Sequence, residues 1–179
     1  MDRTANLLGA MALLLADAVL ADAARAAGRS GAAGAALAVL AQDPGLGIEQ
    51  LRPPLGLSQS AAVRVVDSLV ADGLAERGPG PDARSVAVRL TAAGDDQAQT
   101  VLRRRAALLE DSLAALSKTE REQLAVILEK ILSRLTADRA QAERVCRLCD
   151  YSSCPQESCP VDQSACAWER GTSQTEAPT

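Results

Sequence analysis

Leu57-Ser58-Gln59-Ser60-Ala61-Ala62-Val63-Arg64-Val65-Val66-Asp67-Ser68-Leu69-Val70, closed by Asp72-Gly73, is the stretch on which the fold of this chain turns. Ser58 suits a helix N-cap, and Ala61, Ala62, Val65, Val66, Leu69 and Val70 recur at helical spacing. Gln59, Ser60, Arg64 and Asp67 fall off that apolar face, which leaves them to meet a partner. After the Asp72-Gly73 stop, Leu74 to Arg77 reads as a strand, Gly78-Pro79-Gly80-Pro81 as a tight loop and Ser85 to Leu90 as the returning strand. Thr91 then caps another helix. Helix, two-stranded β wing and helix start, in this order, predict a winged helix-turn-helix.

The rest of the composition agrees with a mainly α chain. Of the 179 residues 47% are apolar, but Tyr151 and Trp168 are the only aromatic ones, so the core must be Ala, Leu, Val and Ile. Histidine is absent, which removes Ser-His-Asp and Cys-His nucleophile systems, His-ligated haem and mixed Cys/His zinc sites. A Cys-based oxidoreductase would need an electropositive pocket, and the sequence around Cys149 and Cys154 is acidic. The chain is therefore not expected to be an enzyme. The net charge of −4 is unevenly placed: residues 57–105 hold seven Arg against six acids (+1), residues 146–179 two Arg against five (−3), and 1–56 and 106–145 carry −1 each. Any nucleic-acid contact must come from a few placed arginines, since no broad basic field exists.

Working outward, an amphipathic helix is expected from Thr4 to Ala27, a Gly-rich break from Gly28 to Gly34, and a helix to Gln42 before the Asp43-Pro44-Gly45 turn. The apolar run Leu7 to Ala16, with small residues after it, imitates a secretion signal. Asp2 beside Arg3, the shortness of the run, and Asp17 and Asp22 at helical spacing argue against one, so a cytoplasmic chain with no membrane partner is expected. Ile48 to Gly56 is the first helix of the helix-turn-helix, and Pro53-Pro54 predicts that it is short or kinked. Thr91 to Leu116 and Ser117 to about Cys146 read as two long helices, the second opened by a Ser117/Glu120 capping box. Its stripe of Leu124, Ile127, Leu128, Ile131, Leu132 and Leu135 needs burial. Five parts follow: an N-terminal helix (1–29), the winged helix-turn-helix (30–94), C-terminal helices (95–145), a Cys-rich segment (146–166) and a tail (167–179) expected to be disordered.

The run Leu57 to Leu69, the wing Asp82-Ala83-Arg84-Ser85 and Leu90-Thr91-Ala92-Ala93-Gly94 together resemble the MarR-type winged-helix transcription regulators, over about residues 4 to 145. Pro53-Pro54 departs from that pattern. The resemblance implies a homodimer joined by its first and last helices, with an intramolecular bundle as the alternative. It further implies a sequence-specific regulator, a repressor in the first instance, on a pseudo-palindromic operator of double-stranded DNA. In a major groove the start of the recognition helix would present Gln59, Ser60 and Arg64 to base edges, with Ser58 near a phosphate. Arg84 resembles the family's minor-groove arginine, oriented by Asp82.

All five cysteines fall in Cys146-x2-Cys149-x4-Cys154-x4-Cys159-x6-Cys166. Neighbouring Arg147, Asp150, Gln156 and Glu157 argue against burial, and a cytosolic setting argues against stable disulfides. Without histidine the first shell of a metal would be all cysteine, from Cys146, Cys149, Cys154 and Cys159, with Cys166 spare. One C-x2-C knuckle, with Cys154-Pro155 and Cys159-Pro160, leans towards an iron-sulfur cluster over zinc. A metal-free thiol switch is the third possibility. Metal binding or loss would order or free this segment beside the dimer helices and change the separation of the recognition helices. The rival reading is a helical interaction protein whose cysteines form a structural zinc knob.

Overall fold

A computed structural model describes residues 2–80, 85–154 and 156–175. In chain order it has α1 (Arg3–Ala27), α2 (Gly31–Gln42), α3 (Ile48–Leu55), α4 (Gln59–Ala71), β1 (Ala75–Pro79), β2 (Val86–Leu90), α5 (Ala92–Ser112), α6 (Lys118–Leu135) and α7 (Arg139–Cys146). A 3-10 turn at Gln156–Ser158 leads into α8 (Pro160–Thr175). The core sits where α1, α2 and α5 pack on one another. Every residue of α2 from Ala33 to Leu40 is buried, and Leu37 and Leu40 meet Leu51, Val66, Leu69, Val88 and Val101. Small side chains let these helices approach closely: a Cβ on Gly34 would lie 2.8 Å from the Ala23 carbonyl oxygen. The Gly-rich break is accordingly shorter than expected. Gly28, at φ +62°, ends α1, and Ser30 caps α2 by accepting from Ala33 N–H, so Gly31 and Gly34 serve helix packing and not a loop.

The helix-turn-helix and wing follow the predicted order. α3 is short, eight residues, with Pro53 and Pro54 in its last turn, and Gly56 at φ +64° closes it by donating to Pro53 O. β1 and β2 pair antiparallel from Ala75↔Leu90 to Pro79↔Val86, so Gly78 and Pro79 belong to the strand and not the loop. α5 ends at Ser112, short of Leu116. Ser117 and Glu120 form the expected capping box at the start of α6. The single helix expected from Ser117 to Cys146 is two. Thr136 is extended and its hydroxyl bonds Leu132 O, while Asp138 caps Gln141 N–H at 2.7 Å to start α7.

Two further expectations are corrected at the C-terminus. Residues 167–175, read as disordered, lie in α8. Val161 and Ala165, with Cys159 and Ala142, form a second small core against Leu132 and Cys146, and Arg139 pairs with Asp162 (2.5 Å) and Glu169 (2.9 Å). The charges flanking the cysteines keep Cys154 exposed and Cys146, Cys149 and Cys166 half-buried, but Cys159 is only 6% exposed.

The apolar faces of α1 and α6 stay open in the protomer. Leu13 and Leu14 are 70% and 71% exposed, and α6 buries none of its residues. At 25 residues α1 is long and apolar enough to cross a membrane by length and composition, which the run Leu7 to Ala16 by itself was not. Its C-terminal half is bound into the fold, where buried Asp22 accepts from Arg104 (3.1 and 2.8 Å) and Arg25 (2.9 Å).

Candidate nucleic-acid interface and thiol site

α4 is held from below and open above. Ala62, Val66 and Leu69 anchor it in the core, while Ser58, Gln59, Ser60 and Arg64 are exposed at its start. Ser58 Oγ accepts from Ala61 N–H at 3.4 Å, so the cap is made, and Arg64 Nε donates to Ser60 O at 3.2 Å. These four residues therefore share one end of one helix. Side chains on neighbouring elements fix its orientation. Arg77 of β1 pairs with Asp67 at 2.7 Å, and Arg29, after α1, bonds Ser68 and Asp72. Arg29 and Arg77 were not singled out in the sequence, where an isolated surface arginine carries no periodic signal, and Asp67, read there as left to meet a partner, is taken up by Arg77. The two wing-tip residues, Asp82 and Arg84, lie outside the described residues. Gly80 N–H bonds Ser85 O at 2.9 Å.

The four cysteines Cys146, Cys149, Cys154 and Cys159 line one cavity of about 60 Å³, together with Arg139 and Glu143. Cys146 ends α7, Cys149 sits one turn later with its N–H on Cys146 O (2.8 Å), and Cys159 precedes α8. The thiols lie close enough to act on one another, Cys146 with Cys149 and Cys159, and Cys154 with Cys159. The neighbouring Cys146 thiol holds the Cys149 thiol below its usual range, to about 6, against the opposing effect of burial, and the Arg105 guanidinium 4.0 Å away adds to the lowering. Arg105 thus offsets the acidity read around Cys149 in the sequence. The Cys149 thiol in turn pushes Cys146 upward, and burial raises Cys154 to about 11. All five thiols are free. Cys166 stands apart, at 3.1 Å from Arg139 Nη2 and 3.8 Å from Asp162. Among the described residues no three Cys, Asp or Glu side chains are placed to hold a metal ion as they stand. Loading the four thiols with metal therefore requires their sulfurs to move closer together.

The thiol loop is fastened to the winged-helix core. Gln42, at the end of α2, donates to Cys149 O at 2.5 Å and accepts from Tyr151 N–H at 2.6 Å, and Leu148 inserts into the main core. Tyr151 also bonds the Asp43 carboxyl, whose pKa is nonetheless raised by burial. Gln42 gave no sign of this role in the sequence, because its partners lie more than a hundred residues away and are backbone atoms.

No protein-family model matches the sequence, and no curated protein does. Solved structures do. A MarR-family transcriptional regulator from Silicibacter pomeroyi is 29% identical, with 70% of this chain and 87% of that chain covered at a TM-score of 0.56. A MarR-family protein from Bacillus stearothermophilus is 22% identical over 76% of this chain and 99% of its own, at 0.64. A mutant of Staphylococcus aureus MepR, bound to an oligodeoxyribonucleotide, is 18% identical over 75% and 99%, at 0.55.

Proposed function

We propose that this chain, which has the MarR-type winged helix-turn-helix fold of transcription regulators, is a homodimeric, sequence-specific repressor acting in the cytoplasm on a pseudo-palindromic operator in double-stranded DNA. The observation that carries the reading is the exposed start of α4, where Gln59, Ser60 and Arg64 share one end of the helix. A helix presented this way reaches base edges in a major groove, with Ser58 and the helix N-terminus at a phosphate and Arg84 of the wing at the minor groove. The MepR mutant solved with an oligodeoxyribonucleotide supports the same use of this fold. Dimerisation is supported by the open leucines of α1 and the unburied length of α6, which one protomer leaves in water.

The Cys segment supplies the input. Cys146, Cys149, Cys154 and Cys159 take an iron-sulfur cluster, or zinc in its place, and a metal-free thiol switch is the second reading. The second is favoured by four thiols lining one cavity as groups that do not yet converge on a metal position. Selection of duplexes from a random pool by the full chain, with iron, zinc and acid-labile sulfide assayed on protein purified anaerobically without chelator, tests both halves. Enrichment of an inverted repeat whose binding is lost in Arg84→Ala is expected. Failure to enrich any duplex would overturn the DNA reading in favour of a helical interaction protein. Iron with sulfide marks the cluster, zinc alone the structural knob, and neither the thiol switch.

A further inference from the structure

The chain beyond α6 does not trail from the fold but spans it. At one end α7 packs along α3 of the helix-turn-helix, with the Arg144 guanidinium so close to Gly56 that a Cβ there would lie 3.0 Å from it. At the other end α8 is the described element on which α6 chiefly packs, through the small core shared with Leu132. Between the two ends lies the thiol loop, gripped on either side of Asp150 by the amide of Gln42. The cavity thiols come from all three pieces: Cys146 from the end of α7, Cys149 and Cys154 from the loop, and Cys159 from the approach to α8.

We infer that the segment from α7 to α8 is a brace between the helix-turn-helix and α6, and that the chemical state of the four cavity thiols is read at the DNA through that brace within one protomer. The inference rests on the DNA-binding reading and deepens it by naming the route of regulation. The four thiols share one cavity of about 60 Å³, which has little room for an added group. Adding a group to one sulfur therefore moves α7 relative to α8. Packed interiors respond to such a change by shifting as units. Because Gln42 holds both Cys149 O and Tyr151 N, the loop cannot absorb the movement alone, and it passes to α2 and α3. The coupling therefore runs through the docked segment of each protomer, in addition to any change at a dimer interface.

The test uses the full chain with Cys166→Ser, so that only the cavity thiols react, and an operator duplex obtained by selection. Methyl methanethiosulfonate is the probe: each thiolate attacks its sulfenyl sulfur, forming S–S–CH3 and releasing methanesulfinate, while the thiol proton goes to buffer. Operator affinity is read by fluorescence anisotropy before and after capping. Capping is expected to change affinity about tenfold, within the usual range of coupling between two sites. In Gln42→Ala, where the grip is gone, the change is expected to fall below about twofold, with folding checked by thermal melting. Gln42→Glu keeps an acceptor for Tyr151 N–H but loses the donor to Cys149 O, and an intermediate response is expected. A full response in both Gln42 variants, or none in the parent chain, would overturn the brace while leaving the DNA reading intact. Failure to select any duplex would overturn that reading and the brace with it.

Discussion

Asp22 shows how a single residue joins the N-terminal helix to the rest of the molecule. Its carboxylate accepts two bonds from Arg104 and one from Arg25, and the Arg104 bonds hold its pKa below the ordinary 3.8. A group whose folded pKa is depressed contributes stability that is complete above its unfolded value and is lost as pH falls through the folded one. Asp22→Asn is therefore expected to cost about 1–3 kcal/mol at neutral pH, the worth of hydrogen bonds to a charged group. The gap between parent and variant should narrow in acid below 3.8, as thermal melts at the two conditions would record. Arg64 belongs to function instead. Its exposed side chain makes no packing contact in the core, so Arg64→Ala should leave the melting temperature unchanged. Operator affinity should drop by about 1–3 kcal/mol if Arg64 forks to a base, and discrimination at one operator position should relax with it.

Among the elements, the junction of wing and α5 is the tightest. Thr91 caps α5 through Gly94 N–H at 3.1 Å and bonds Gly73 O at 2.6 Å, while a Cβ on Gly94 would fall 1.9 Å from Leu74 O, a backbone atom that cannot swing away. Gly94→Ala is accordingly expected to lower stability by about 1–3 kcal/mol or more, as overpacking does, and to shift the wing with it. Denaturant unfolding would give the loss, and a variant as stable as the parent would contradict the close approach. α3 shows the opposite case. Two prolines are tolerated because the helix is only eight residues long and ends just beyond them.

At the scale of the molecule, the open question is what covers α1 and α6. Leu14 is 71% exposed and Ile127 52%, and neither has a reason to be apolar in an isolated protomer. The chain is expected to run in solution at twice 18.6 kDa, and Leu14→Glu or Ile127→Glu to shift it towards one protomer with weakened operator binding, measured by light scattering and anisotropy. A monomeric parent chain would overturn the dimer.

What the sequence determined is local. Ser58, Thr91 and Ser117 mark helix starts because a capping side chain acts within three residues, and the apolar period of residues 61–70 identifies the buried face of α4 because 3.6-residue geometry repeats regardless of context. Those signals were enough to place the recognition helix, whereas β1 runs two residues further than its sequence suggested. Tertiary structure alone decided the fate of the C-terminal quarter. α8 is stabilised by Val161 and Ala165 meeting Ala142 and by Arg139 meeting Asp162 and Glu169, pairings between segments whose individual patterns are too short and polar to announce a helix. The same holds for Gln42 and Arg105 at the thiols: their partners are distant in the chain and become neighbours only when α2, α5 and the Cys segment pack together, and no spacing rule along a sequence encodes such a meeting.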